Sequence, residues 1–217
     1  MNYYTSDTHA FHERVIEYDS RPFKNAKEMT EKLADNINNV VGKKDSLYHL
    51  GDFSFGDRRD KKSQIRNARI FRDMIACKNL FLVFGNHDRH LRNNKEFRSL
   101  FTDVDNMMEF YDDIMGSWVV TCHYCLLTWN KARHGSVHLY SDFYPFVALF
   151  GHSHSNAEEM LDEKFPGRRS LDCGIDNAKK ILGEYRPFSS LDIKTIMDAK
   201  PGFFEIDHHK PGKRSKA

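Results

Sequence analysis

Apolar positions in this chain come in two alternating kinds of run. Short blocks at 47–50, 80–84, 118–122 and 147–150 are mostly apolar and rich in β-formers, and each is too short for a helix. Such blocks fit strands covered on both faces, as in a parallel sheet. A weaker β-prone run occupies 2–5. Between the blocks the spacing changes: Ala26, Met29, Leu33, Ile37, Val40 and Val41 recur at helical intervals that end near Gly42, and Ile65, Ala68, Phe71 and Ile75 do the same. Further on, 171–177 reads as strand and turn, 191–199 as a helix and 203–206 as an edge strand. Strands separated by helical or loop segments predict a layered α/β sandwich. One domain is expected over 1–207, followed by a basic, disordered tail over 208–217.

The chemistry sits where the apolar blocks stop. Each gives way to a turn and then to Asp, His or Asn: Asp7-x-His9, Gly51-Asp52, Gly85-Asn86-His87-Asp88, His123, and Gly151-His152-Ser153-His154. Alternate residues of an extended strand end point the same way, which pairs Asp7 with His9. Loops at the carboxyl ends of neighbouring strands converge over the sheet edge, so the five ends are expected to form one site. The donors are Asp7, His9, Asp52, Asn86, His123, His152 and His154. That is too many for one zinc-type ion, and it suits two ions sharing a carboxylate, with Asp52 as the candidate bridge. Two ions roughly 3.5–4 Å apart can hold a hydroxide and clamp the oxygens of a phosphate during in-line displacement.

Composition narrows the class. In 217 residues, 40% are hydrophobic and 17 are Phe, which supplies a core and argues against disorder. Lys and Arg exceed Asp and Glu by two, so nothing global demands nucleic acid, although a nucleic-acid substrate stays open. No apolar run approaches membrane-spanning length and no leader pattern opens the chain, which predicts a soluble cytoplasmic protein without a membrane partner. Cys77, Cys122, Cys125 and Cys173 include no repeated C-x-x-C pair and suit a reduced compartment.

In order and in spacing, the five motifs resemble the signature of the calcineurin-like metallophosphoesterase superfamily. Arg21-Pro22-Phe23, His49-Leu50-Gly51-Asp52-Phe53, Leu127-Thr128-Trp129-Asn130 and Leu171-Asp172-Cys173-Gly174-Ile175-Asp176 resemble its small stand-alone bacterial and phage members. The resemblance implies a four-layer αββα sandwich with two divalent ions. One ion would be held by Asp7, His9, Asp52 and His154, and the other by Asp52, Asn86, His123 and His152. It also implies that His87 protonates the leaving oxygen and that Asp88 orients the His87 ring through a hydrogen bond. Manganese is the expected activator, with iron, zinc or nickel as alternatives. The expected reaction is hydrolysis of a phosphodiester, in a small molecule or nucleotide, by a metal-bound hydroxide. A phosphomonoesterase or nuclease on the same site is the alternative inside the enzyme class, and a non-catalytic scaffold the alternative outside it. Many members are homodimers.

Two departures from the family pattern stand out. Small members carry Phe-Gly-His after the first motif, whereas this chain has Ala10-Phe11-His12, leaving His12 as a candidate phosphate contact. An added segment, 141–146, either shapes substrate choice or is scaffold. Arg133 and His134 either reach the phosphate or form an exposed turn. Trp129 is either packing or a wall for an aromatic group. The basic stretches 58–72 and 89–98 read as solvated faces or as a rim attracting anions.

Overall fold

In the computed structural model, residues 1–57, 59–126 and 146–201 are described, apart from the side chain of Lys61. The elements run β1 (Asn2–Thr5), α1 (Glu13–Tyr18), α2 (Ala26–Val40), β2 (Ser46–His49), α3 (Lys61–Met74), β3 (Asn79–Val83), a 3-10 turn (Arg89–Leu91), α4 (Lys95–Arg98), β4 (Asp103–Asp105), β5 (Met107–Asp112), β6 (Ser117–Cys122), β7 (Phe146–Phe150), α5 (Glu158–Lys164), β8 (Ser170–Asp172), α6 (Ile175–Leu182), β9 (Phe188–Ser189) and α7 (Ser190–Ala199). They build two sheets, of order β4-β3-β2-β1-β9 and β5-β6-β7-β8. Together with the flanking helices they make the layered α/β sandwich that the alternating pattern predicts, in the αββα order that the family resemblance implies.

Strand periodicity divides the core in two. Leu47, Leu80 and Leu82 turn to one side, where they meet Met29, Leu33 and Ile37 of α2 and Phe71 of α3. Their neighbours Tyr4, Tyr48 and Val83 turn to the other, toward Val119, Leu149 and Leu171 of the second sheet. There an aromatic ladder crosses the first sheet: the Tyr4 and Tyr48 rings stack at 5.4 Å, and those of Tyr48 and Phe81 at 4.7 Å. Phe110 of β5 stacks on Tyr48 at 4.4 Å, joining the sheets. Asp112, at the end of β5, is buried and accepts hydrogen bonds from Tyr4 Oη (2.7 Å), Asn2 Nδ2 (3.0 Å) and Ser190 Oγ (2.7 Å).

Several elements depart from the sequence pattern. The segment 171–177 contains only a short strand, and Ile175 opens α6 instead of continuing a turn. Helices α1 and α5, at six and seven residues, are too short for a period to show. Strand β5 is half-buried along most of its length and lacks a clean alternation. Residues 127–145 and 202–217 lie outside the described set. The expectations for Trp129, Arg133, His134, the 141–146 segment, the 203–206 strand and the tail fall there.

All first-sheet pairings are parallel except β1 with β9, and all second-sheet pairings except β5 with β6. The carboxyl ends of β1, β2, β3, β6, β7 and β8 therefore share one edge of the sandwich.

Candidate metal centre

That edge is knitted together by backbone bonds between the loops that leave the strands. Asp7 N–H donates to Gly51 C=O (3.0 Å), His9 N–H to Asp52 C=O (3.0 Å), Gly151 N–H to His123 C=O (3.0 Å) and Ile175 N–H to Ser6 C=O (3.0 Å). The last of these ties the second sheet to the first. Packing is too tight for side chains at two turns: a Cβ on Gly85 would stand 2.1 Å from Asp52 Oδ1, and one on Gly51, whose φ is +105°, would stand 2.4 Å from His123 Nδ1. Asp7, His9, Asp52, His152 and His154 all adopt left-handed backbone conformations, with φ between 47° and 68°. Such conformations cost non-glycine residues energy and persist where the surroundings enforce them, typically at functional sites.

The Asp and His side chains converge on shared points without hydrogen-bonding one another across them. His9 Nε2 lies 3.9 Å from Asp7 Oδ1 and 3.7 Å from Asp52 Oδ2, His123 Nε2 lies 3.6 Å from Asp52 Oδ2, and His154 Nε2 lies 3.7 Å from Asp7 Oδ1. These separations are too long for hydrogen bonds. Asp7 Oδ1 is buried and has no hydrogen-bond partner. Burial, reinforced by the Asp88 and Asp7 charges, pushes the Asp52 carboxyl up to about 9. Burial likewise pushes His9 well below the ordinary imidazole value and so keeps it neutral. Buried carboxyl groups and imidazoles, at distances that suit a common cation and not each other, fit divalent metal. Asp7, His9 and His154 form one such group, and Asp7, Asp52 and His123 another.

Asn86 Oδ1 is 2.9 Å from His123 Nε2, beside the second group. His152 stands apart from both: its ring is exposed, 5.1 Å from that of His123, and its backbone N–H donates to Asp7 Oδ2 (2.8 Å). His87 Nε2 approaches Asp52 Oδ2 to 3.9 Å, and its backbone N–H donates to Asp52 Oδ1 (2.8 Å). His12 is drawn to the same place, its ring 5.5 Å from that of His9.

Asp88 differs from expectation. Its Oδ2 accepts from the backbone N–H groups of Asp52 (2.7 Å) and Gly85 (3.0 Å), and its Oδ1 has no hydrogen-bond partner. The carboxylate thus braces two turns and does not orient the His87 ring. Its immediate neighbours in the fold are backbone donors, which a motif cannot reveal.

Four residues around the site were not singled out as functional in the sequence. Arg21 is buried and grips Asp176 through Nε (2.8 Å) and Nη2 (2.7 Å), while also donating to the carbonyls of Asp7 (2.8 Å) and Thr8 (3.1 Å). Asp176 Oδ2 in turn meets His154 Nδ1 at 2.8 Å, with Asp19 Oδ2 at 2.9 Å from the same atom. Burial works to lower His154, but the bonds to Asp176 and Asp19 prevail and raise it to about 10. Asp172 holds the 153–155 turn through Ser153 Oγ and the Ser155 N–H (3.1 Å). The signal for Arg21 and Asp176 lay in Arg21-Pro22-Phe23 and Gly174-Ile175-Asp176, motifs noticed only as family likeness.

A two-sheet sandwich with its Asp, Asn and His donors gathered where the sheets meet defines a metallo-dependent phosphatase fold. The chain belongs to the calcineurin-like phosphoesterase family, whose model matches residues 3–183. It is therefore a metal-dependent phosphoesterase. It is 33% identical over 153 residues to an uncharacterized protein of Methanocaldococcus jannaschii, a match covering 67% of this chain and 74% of that one. It is 28% identical over 188 residues to the Gene 66 protein of Mycobacterium phage L5, covering 80% and 86%. A crystal structure of a protein of unknown function from Aquifex aeolicus shares the fold, with a TM-score of 0.61 and 22% identity over 90% of this chain and 98% of that one. Among the described residues no helix is long and apolar enough to cross a membrane.

Proposed function

We propose that this protein hydrolyses phosphodiesters with two divalent ions, manganese being the best activator. Asp7, His9, Asp52 and His154 hold one ion, and Asp52, Asn86, His123 and His152 the other. The observation that carries this reading is the approach of buried Asp7 and Asp52 to His9, His123 and His154 at 3.6–3.9 Å, with no hydrogen bond between them. Bound ions would neutralise phosphate charge and supply a nucleophile at neutral pH.

The protein's own groups do the rest. Asp52 Oδ2 faces both His9 (3.7 Å) and His123 (3.6 Å), and its Oδ1 accepts the His87 backbone N–H, which holds the proposed acid beside them. His87 in its imidazolium form gives a proton to the departing oxygen, since an alkoxide leaves poorly near neutral pH. Asp88 holds the Asp52 and Gly85 turns in place. A groove of about 780 Å³ opens alongside His9, His87 and His154, with room for substituents beyond a bare phosphate.

The test compares manganese-dependent hydrolysis of bis-p-nitrophenyl phosphate and p-nitrophenyl phosphate, with bound metal measured in parallel. Asp52→Asn is expected to lose both metal and turnover. His87→Ala keeps its metal but loses roughly 10²–10⁴-fold on a diester with an alkyl leaving group, and less on p-nitrophenyl esters, whose leaving group needs little protonation. Normal turnover in Asp52→Asn would refute the assignment, and preference for the monoester would make the protein a phosphatase.

A further inference from the structure

The groove beside the metal centre has a wall that the hydrolytic chemistry does not use. From His87 it runs along Phe55, whose ring is 5.7 Å away, to His12, which stacks on Phe55 at 3.9 Å with 21° between the planes. The same groove is lined by Tyr18, at the end of α1, with 68% of its surface exposed. The wall is set in advance. Phe55 N–H donates to Ala10 C=O (2.8 Å), Asn67 Nδ2 donates to Phe55 C=O (2.8 Å), and His12 N–H donates to His9 C=O (2.9 Å). Fixing the backbone on both sides of the stacked pair removes much of the ordering cost of binding a ligand against it.

The lining also selects among ligands. Its apolar surface is aromatic, and Val15 is the one aliphatic residue lining the groove among those described, so an acyl chain finds little to lie against. The rim carries charges of both signs, Arg14 and Asp57 among them, which suits a neutral polar edge better than a polyanion. A flat, neutral group with hydrogen-bonding edges meets all three conditions. Its place next to His87 puts it on the leaving-group side of the phosphate.

We propose that Phe55 and His12 form the seat of a nucleobase, so that the substrate is a nucleotide ester whose nucleoside lies in this groove. The proposal rests on the phosphoesterase reading above. Base-on-aromatic stacking is sequence-tolerant and strong enough to read in an affinity.

Calorimetric titration of the manganese-loaded protein with AMP, ribose 5-phosphate and inorganic phosphate separates base, sugar and phosphate. AMP is expected to bind at least tenfold more tightly than ribose 5-phosphate. Phe55→Leu keeps apolar volume without a flat face, and Phe55→Ala removes both. Each is expected to bring AMP down to the level of ribose 5-phosphate while inorganic phosphate binds as before. Equal affinity for AMP and ribose 5-phosphate in the unaltered protein overturns the proposal, as does an equal loss for inorganic phosphate in both variants. Absence of binding by all three ligands, together with absence of manganese-dependent hydrolysis, means that the phosphoesterase reading itself has failed and this proposal with it.

Discussion

Arg21 and Asp176 reach the proposed metal centre only through other residues. Asp176 receives two bonds from Arg21 and passes its orientation to His154 Nδ1, leaving Nε2 facing Asp7. Outer partners of this kind set the tautomer and angle of a ligating imidazole, and their loss typically costs 10–100-fold in metal affinity. Asp176→Asn and Arg21→Lys are both expected to weaken manganese retention by about that factor, measured by equilibrium dialysis, while the folded content seen by circular dichroism stays unchanged. At this scale the gathering of Asp7, His9, Asp52, His123 and His154 was readable from sequence, because each follows a strand by a few residues. The bracing around it was not. Asp88 bonds to backbone N–H groups 36 and 3 residues away, and Arg21 to a carboxylate 155 residues away. Neither bond leaves a local pattern.

Among the elements, the long ones were legible because α2 and α3 repeat an apolar face and β2, β3, β6 and β7 are dense in apolar residues. Strand β5 was hidden by its half-buried residues, yet its last residue holds three elements together. Burial tends to raise the Asp112 carboxyl, but hydrogen bonds from the Met115 N–H, Tyr4, Ser190 and Asn2 outweigh this and hold it below the ordinary carboxylate range. A depressed folded value adds stability above the unfolded pKa of about 4 and gives it up as pH falls through the lower folded value. Asp112→Asn is therefore expected to melt below the unaltered protein at pH 7, with the gap closing in acid below about pH 4. Asp112→Ala, which takes the acceptor from Tyr4, Ser190, Asn2 and the Ile114 and Met115 N–H groups, is expected to cost about 3 kcal/mol in denaturant titrations.

Across the whole molecule, the donors are divided between two sheets. Asp7, His9, Asp52 and Asn86 follow strands of the first, and His123, His152 and His154 follow strands of the second. Ions drawing on both would stabilise the folded chain by mass action, by about 2.7 kcal/mol at a hundredfold excess over Kd. In a chain of this size that corresponds to a rise in Tm of roughly 5–10 °C. Manganese is expected to produce that rise over chelator-treated protein in a melting experiment and to produce none in Asp52→Asn. The pairing of β1 with β9 has a further consequence, for shortened chains. Strand β1 owes its second neighbour to Phe188 and Ser189, which follow Asp176 in the chain. A chain cut short before that point exposes the flank of β1, and one cut before Asp176 also leaves the buried Arg21 guanidinium without its two-bond partner. A truncation before Asp176 is therefore expected to lose manganese retention together with the β9 edge of the first sheet, read by equilibrium dialysis of the shortened chain.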